Sequence, residues 1–247
     1  MHRLQGWRVP DSLLAYGGDV VLYGEPLMAE AVADQMGLAL LEPEIDWLTR
    51  VPFEHVSREI QIMTLGEARL LASSAFVKPA DGKIFDPRVY ATGADLPSDG
   101  SVDQDIPVLR SSIMDFRLEV RCFIADRQIV SMSPYWRDGV LARTNDGGWP
   151  FLETEEPEAR GFAEQVLADQ SLDFPPGCTL DVGKTTAGIW AVIEANPSWG
   201  AGLYGCDPLA VMQAIRVAVK RRSDLVTHEL RWISRRKQSG IQAASEG

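Results

Sequence analysis

The stretch Phe116-Arg117-Leu118-Glu119-Val120-Arg121-Cys122-Phe123-Ile124 alternates apolar and charged residues as far as Cys122. Successive side chains of a strand point to opposite faces, so Phe116, Leu118, Val120, Cys122 and Ile124 form one apolar face. Arg117, Glu119 and Arg121 occupy the other, which is ionic. Residues 178–183 repeat the pattern, with Cys178, Leu180 and Val182 against Thr179, Asp181 and Gly183. Residues 190–196 carry it a third time, with Ala191, Ile193 and Ala195 opposite Glu194 and Asn196. Any one of these strands reads equally well as the solvated side of an antiparallel sheet. Taken together they read differently, because Asp181, Glu194 and Asn196 are all oxygen donors with no Lys among them. Paired through a turn between Gly183 and Gly188, the last two strands would bring those oxygens together. Hard Mg²⁺ binds through one or two carboxylates plus water and substrate phosphates.

Working outward, residues 106–113 read as a further strand and residues 127–135 as a hairpin partner for 116–124. Ala75-Phe76-Val77-Lys78-Pro79 and Lys83-Ile84-Phe85 are short strands, and residues 92–105 form a loop rich in Gly, Pro, Ser and Asp. Near the start, Asp19-Val20-Val21-Leu22-Tyr23-Gly24 is a strand and residues 26–36 a helix, with Pro26 in its first turn and Gly37 at its end. Residues 38–41 are then a second strand, which closes a small strand-helix-strand unit. Thr64-Leu65-Gly66-Glu67-Ala68 is a capped helix start. The run Glu153-Thr154-Glu155-Glu156-Pro157-Glu158 is a solvated approach to a helix over 159–168, and 208–222 is a strongly periodic helix ending in Lys220-Arg221-Arg222. Beyond Asp224, Arg235-Arg236-Lys237 lies in a polar tail expected to fray.

The 247 residues are 45% hydrophobic and 24% charged, an ordinary globular composition that excludes collagenous, disordered and coiled-coil classes. With 35 acidic against 24 basic side chains, the formal charge of −11 argues against broad binding of nucleic acid or anionic membrane. It leaves room for a local basic pocket. No apolar run reaches the roughly 20 residues that span a bilayer, and the first residues lack a secretion signal, so a cytoplasmic protein is expected. Cys122, Cys178 and Cys206 are odd in number and widely spaced, which favours reduced thiols over disulfides or a zinc site.

Gly183-Lys184-Thr185 looks like the end of a phosphate-binding P-loop, but Cys178 stands where that pattern needs Gly. The alternating run that follows makes it a hairpin turn instead. No Ser/His/Asp or Cys/His set suggests a side-chain nucleophile.

Three motifs in order resemble the ATP-grasp superfamily: Phe76-Val77-Lys78-Pro79; Glu119-Val120-Arg121-Cys122-Phe123-Ile124; and Asp181 followed by Ile193-Glu194-Ala195-Asn196-Pro197. The likeness runs over residues 58–208 and is strongest to a compact clade marked by an Arg and two Lys, for which Arg58, Lys78 and Lys83 are candidates. The resemblance implies an α+β fold of two lobes closing on ATP, with Mg²⁺ bridging the phosphates. It implies a small N-terminal α/β unit over 1–74, grasp lobes over 75–225 with a hinge near 106–113, and a tail over 226–247. Lys78 and Lys83 would be phosphate ligands, and Arg121 would stabilise the transferring phosphoryl group. Pro107, Val108, Leu109 and Arg110 would offer backbone groups to adenine, with Asp115 a candidate for ribose. Asp181, Glu194 and Asn196 would hold the metal, and Glu119 would orient an Arg. The implied activity is an ADP-forming carboxylate-amine ligase acting on small-molecule acids and amines, such as amino acids or peptides. A phosphotransferase and a nucleotide-binding module without turnover are the competing readings. Trp199 or Tyr204, in the Gly-rich stretch after Pro197, either walls a substrate pocket or packs in the interior.

Overall fold

The computed structural model describes residues 3–4, 6–98, 100 and 102–234. Its helices are α1 (Asp11–Leu14), α2 (Pro26–Gln35), α3 (Phe53–Val56), α4 (Leu65–Ala68), α5 (Glu155–Ala168) and α6 (Pro208–Ala218). Its strands are β1 (Leu38–Leu40), β2 (Ile60–Thr64), β3 (Ala75–Pro79), β4 (Arg88–Tyr90), β5 (Pro107–Ser111) and β6 (Phe116–Ala125). They continue as β7 (Gln128–Arg137), β8 (Val140–Leu141), β9 (Gly177–Thr185), β10 (Trp190–Pro197) and β11 (Val219–Arg221). No described helix is long and apolar enough to cross a membrane.

Two antiparallel sheets form the body. The larger runs β10-β9-β6-β7-β8 and the smaller β2-β5-β3-β4. The apolar face read from the sequence packs as expected: Leu118, Val120, Cys122, Ile124, Cys178, Leu180 and Val182 join Ala159, Ala163 and Val166 of α5 in the main core. At about 25 cal/mol per Å², burying such side chains is the main drive for the two layers to close. Phe123, on the opposite face, is buried among α6 residues Val211, Ala214, Ile215 and Ala218, so α6 covers one end of that second face. The smaller sheet packs Ala75, Val77, Tyr90 and Val108 onto Leu65 and Ala68 of α4. That short helix starts on a reciprocal cap, with Glu67 N–H donating to Thr64 Oγ1 (3.1 Å) and Thr64 N–H to Glu67 Oε2 (2.8 Å).

Several elements differ from the sequence expectation. Residues 19–24 form no strand; Val20, Val21 and Leu22 instead pack against the α6 core, and Gly24 N–H donates to Trp199 O at 3.1 Å. The reason lies in β1, whose antiparallel partner is β11. The helix read to residue 222 therefore stops at Ala218, where Val219 turns extended to enter that pairing. Residues 83–85 are a turn, and β4 follows at Arg88–Tyr90. In the acidic run Glu155 is buried rather than solvated, and accepts from Arg137 Nη2 at 2.5 Å. Thr227–Trp232 of the expected tail is a 3-10 helix with Glu229 and Trp232 buried; Arg235-Arg236-Lys237 lies outside the described residues. The three cysteines are buried free thiols, and burial pushes Cys178 up to about 12.

Candidate active site

The register of the larger sheet sets Arg121 opposite Asp181, and Asp181 opposite Glu194, so three charged side chains stand in a row across β6, β9 and β10. Arg121 donates from Nε to Asp181 Oδ1 (2.9 Å) and from Nη2 to Oδ2 (2.6 Å), so both Asp181 oxygens are engaged. Arg121 Nη1 also donates to Gly202 O at 3.2 Å. Full burial pushes the Asp181 carboxyl up, and Arg121 works against that shift. Glu194 accepts from Asn196 Nδ2 at 2.8 Å and from Lys78 Nζ. Burial pushes Glu194 up as well, but the charge of Lys78, its hydrogen bond, Asn196 and Arg121 outweigh it and hold the carboxyl at about 2. An ionised carboxylate therefore sits at the mouth of the row.

Lys78 belongs to the smaller sheet, so its ion pair with Glu194 crosses from one sheet to the other. Around it is a cleft of about 240 Å³ lined by Lys78, Lys83, Leu109, Glu194 and Asn196, with Glu42, Trp47 and Leu48 forming the N-terminal wall. Lys83 lies exposed on the turn after β3. The sheet register explains this set: Lys78 pairs with Leu109 in one rung and so shares its face, while Val77 and Val108 face the small core.

Expected nucleotide contacts at Val108, Leu109 and Arg110 meet a topological fact. β5 is flanked by β2 on one edge and β3 on the other, so its backbone groups belong to two ladders. Only the Leu109 side chain of the three lines the cleft, and Arg110 faces Glu59 at 3.6 Å. The segment that returns to the larger sheet, residues 112–115, lies outside any strand. There Ser112 N–H donates to Glu59 O (3.0 Å) and Asp115 O accepts from Thr186 N–H (3.0 Å).

Arg58 is turned away from the cleft. It is buried, donating from Nη1 to Val56 O (3.0 Å) and Val192 O (2.7 Å) and from Nη2 to Ile193 O (3.1 Å). Burial lowers its guanidinium to about 10, and Glu194 pulls it back up. Glu119 does not orient Arg121; it accepts from the Tyr135 hydroxyl, and burial pushes its carboxyl up. Arg121 is oriented by Asp181 instead. Trp199 is fully buried, with Nε1 donating to Leu41 O (2.9 Å), so it packs in the interior and walls no pocket. Lys184 pairs with Glu158 at 2.5 Å from a strand, and the turn after it is the hairpin expected.

Residues 55–214 match the model of a family described as an ATP-grasp domain, the second family of its clade. The chain belongs to the ATP-grasp superfamily. The α+β architecture of two sheets about a cleft is its fold. Solved structures of similar fold include D-cycloserine synthetase DcsG, at 17% identity and a TM-score of 0.47, over 73% of this chain and 69% of that one. D-alanine–D-alanine ligase from Bacillus anthracis complexed with ATP matches at 14% identity and a TM-score of 0.41, over 67% of this chain and 55% of its own. The ADP complex of purK, N5-carboxyaminoimidazole ribonucleotide synthetase, matches at 15% and 0.44, over 64% and 45%. No curated protein matches the chain in sequence.

Within this ATP-grasp fold, two residues that alternation alone did not reveal flank Arg121. Its guanidinium lies 5.4 Å from the Tyr135 ring centre and 5.0 Å from that of Tyr204, and the two rings stack at 4.8 Å. Cation–π contacts of this kind are worth roughly 0.5–2 kcal/mol. Tyr204 takes a φ of 49°, a left-handed conformation uncommon for a bulky residue. Tyr135 is the extra residue of a bulge opposite Glu119 and Val120, which breaks the period-2 signal that would have phased it.

Proposed function

We propose that this protein is an ATP- and Mg²⁺-dependent ligase that activates a carboxylate as an acyl phosphate and joins it to an amine. The observation that carries this reading is the Lys78–Glu194 pair, a cation from one sheet and an ionised carboxylate from the other meeting in the cleft of an ATP-grasp chain. A triphosphate needs cations on its oxygens and a metal held by hard oxygen donors, and the cleft offers both kinds of group side by side.

In this reading Lys78 and Lys83 contact phosphate oxygens. Arg121, held by Asp181 beneath and two tyrosine rings beside, presents its charge where it develops on the transferring group. Adenine lies toward Leu109 and meets the free backbone of residues 112–115 rather than the paired backbone of β5. The donor set fits Mg²⁺: Glu194 is ionised, and Asn196, donating through Nδ2, keeps its amide oxygen as an acceptor. Bound there, the metal would neutralise phosphate charge. Asp181, with both oxygens engaged by Arg121, supports this pair from below.

A substrate carboxylate oxygen attacks the γ-phosphorus as its bond to the β-bridging oxygen breaks, giving acyl phosphate and ADP. The amine nitrogen then attacks the acyl carbon, phosphate leaves, and the nitrogen loses a proton. Incubation with ATP, Mg²⁺ and a pool of amino acids and peptides is expected to release ADP and phosphate with a new amide visible by mass spectrometry. AMP as the product would sink the mechanism. ADP without free phosphate would make the protein a phosphotransferase, and Mg·ATP binding without turnover would make it a binding module.

A further inference from the structure

Arg58 is tied to three carbonyls, and two of them belong to one irregularity in the larger sheet. The β9–β10 register shifts between Val192 and Glu194, leaving Ile193 as an extra residue. That shift sets Glu194 opposite Asp181; without it, period-2 pairing would place a neighbouring residue there. β10 is the edge strand of its sheet, so the Val192 and Ile193 carbonyls on its outer side have no strand partner. The Arg58 guanidinium supplies the donors, at 2.7 and 3.1 Å.

The same side chain reaches the lobe connection. Arg58 lies two residues before β2 and follows Ser57, whose φ of 50° ends α3. Its guanidinium sits 5.8 Å from the centre of the Phe116 ring. Phe116 opens β6, just after residues 112–115 return to the larger sheet, and a register shift between Phe116 and Leu118 moves it off the apolar face read from the sequence. The Phe116 and Ile193 side chains both come to rest on Gly183, where a Cβ would lie 2.5 Å from Phe116 Cδ1 and 2.8 Å from Ile193 Cδ1. Glu59, next to Arg58, accepts from Ser112 N–H at 3.0 Å, so the two chain crossings between sheets run side by side. One guanidinium thus touches both crossings and the bulge that phases Glu194.

We propose that Arg58 is a positioning residue, which fixes the Val192–Ile193 bulge and so holds Glu194 in the cleft beside Lys78, rather than a phosphate ligand. The proposal rests on the reading of Glu194 as a metal-holding residue for its functional consequence, and on the geometry alone for its structural one.

The test compares Arg58→Met, Arg58→Lys and Glu194→Gln with the parent chain in two readouts. The first is acetylation of Lys78 by acetic anhydride, followed by mass spectrometry, which needs no nucleotide. Arg58→Met is expected to raise the Lys78 rate several-fold toward that of Glu194→Gln, as loss of the bulge draws Glu194 off Lys78. Arg58→Lys, which keeps a charged donor, restores part of the protection and serves alone if Arg58→Met does not fold. The second readout is calorimetric titration with ATP, with and without Mg²⁺. Loss of a residue that orients a metal ligand typically costs about 10–100-fold, and a loss of that size is expected for Mg·ATP with metal-free ATP unchanged. Equal weakening of both forms would mean that Arg58 touches phosphate, and the proposal would fall. Unchanged Lys78 labelling alongside a lower melting temperature would make Arg58 merely structural and would overturn it as well. Failure of the parent chain to bind Mg·ATP would overturn the ligase reading, while the labelling comparison would still decide the role of Arg58.

Discussion

Arg121 and Asp181 face each other across adjoining strands, joined by two hydrogen bonds of 2.9 and 2.6 Å, and the Asp181 side chain has no exposed surface. Dehydrating such a pair costs several kcal/mol per ion, which close geometry offsets only while both partners are present. Arg121→Met would leave a bare carboxylate in the interior and is expected to lower stability by about 3–5 kcal/mol in urea denaturation. The double variant Arg121→Met with Asp181→Leu should recover most of that loss while remaining inactive. Equal instability of the single and double variants would show that the pair does not act as a unit.

Glu194 gives a pH signature. Its carboxyl is held at about 2, against 4.5 for a free glutamate, chiefly because Lys78 overcomes the opposing effect of burial. A depressed carboxylate contributes stability that is complete above its unfolded value and is lost as pH falls through the folded one. The urea midpoint of the parent chain should therefore exceed that of Glu194→Gln at neutral pH, and the gap should close between about pH 4.5 and about pH 2. A gap that stays constant over that window would mean that Glu194 is not paired as described.

How much of this was legible in the sequence depends on where the strands stay regular. In β9 the alternation holds, so Asp181 and the core residues Leu180 and Val182 fall on the faces read for them. The motifs carrying Lys78, Arg121, Glu194 and Asn196 were equally visible, because the chemistry of a phosphate cleft demands those side chains. Irregular pairing hid the rest. Bulges beside Phe116, Tyr135 and Ile193 each shift a phase by one residue, and a period-2 reading cannot see them. Nor does a strand's own sequence say whether it is central, which is why the backbone of Val108, Leu109 and Arg110 looked free for adenine. The segment at 19–24 has the residues of a strand, but β1 takes β11 as its partner and leaves it none. Arg58 carries no local sign of its role, since its partners at Val192 and Ile193 are more than a hundred residues away.

Lys78 offers a direct kinetic test. Its ammonium pairs with Glu194 and lines the cleft, so in the proposed reaction it touches phosphate. Removing one such charge-stabilising donor commonly costs on the order of 10²–10³ in kcat. Lys78→Met is expected to show that loss in an ADP-release assay with little change in melting temperature, because the pair is half-buried rather than sealed. Activity within a few-fold of the parent would remove Lys78 from the phosphate site.

Two glycines separate backbone packing from backbone entropy. A Cβ on Gly177, at the start of β9, would lie 2.0 Å from Ala214 O and 2.9 Å from Ala218 Cβ, both on α6. Neither neighbour is the end of a flexible side chain, so Gly177→Ala must push α6 off the sheet. Because α6 runs directly into β11, which holds β1, the displacement reaches the N-terminal segment as well. Overpacking of this kind typically costs about 1–3 kcal/mol, and hydrogen exchange should accelerate in β1 and β11 together. Gly161 is the opposite case: it is exposed inside α5, and a Cβ there meets nothing within 4 Å. Gly161→Ala is expected to raise stability by roughly 0.5–1 kcal/mol through reduced freedom of the unfolded chain. If both variants shift the urea midpoint in the same direction, the contact between α6 and β9 is not as close as the packing at Gly177 requires.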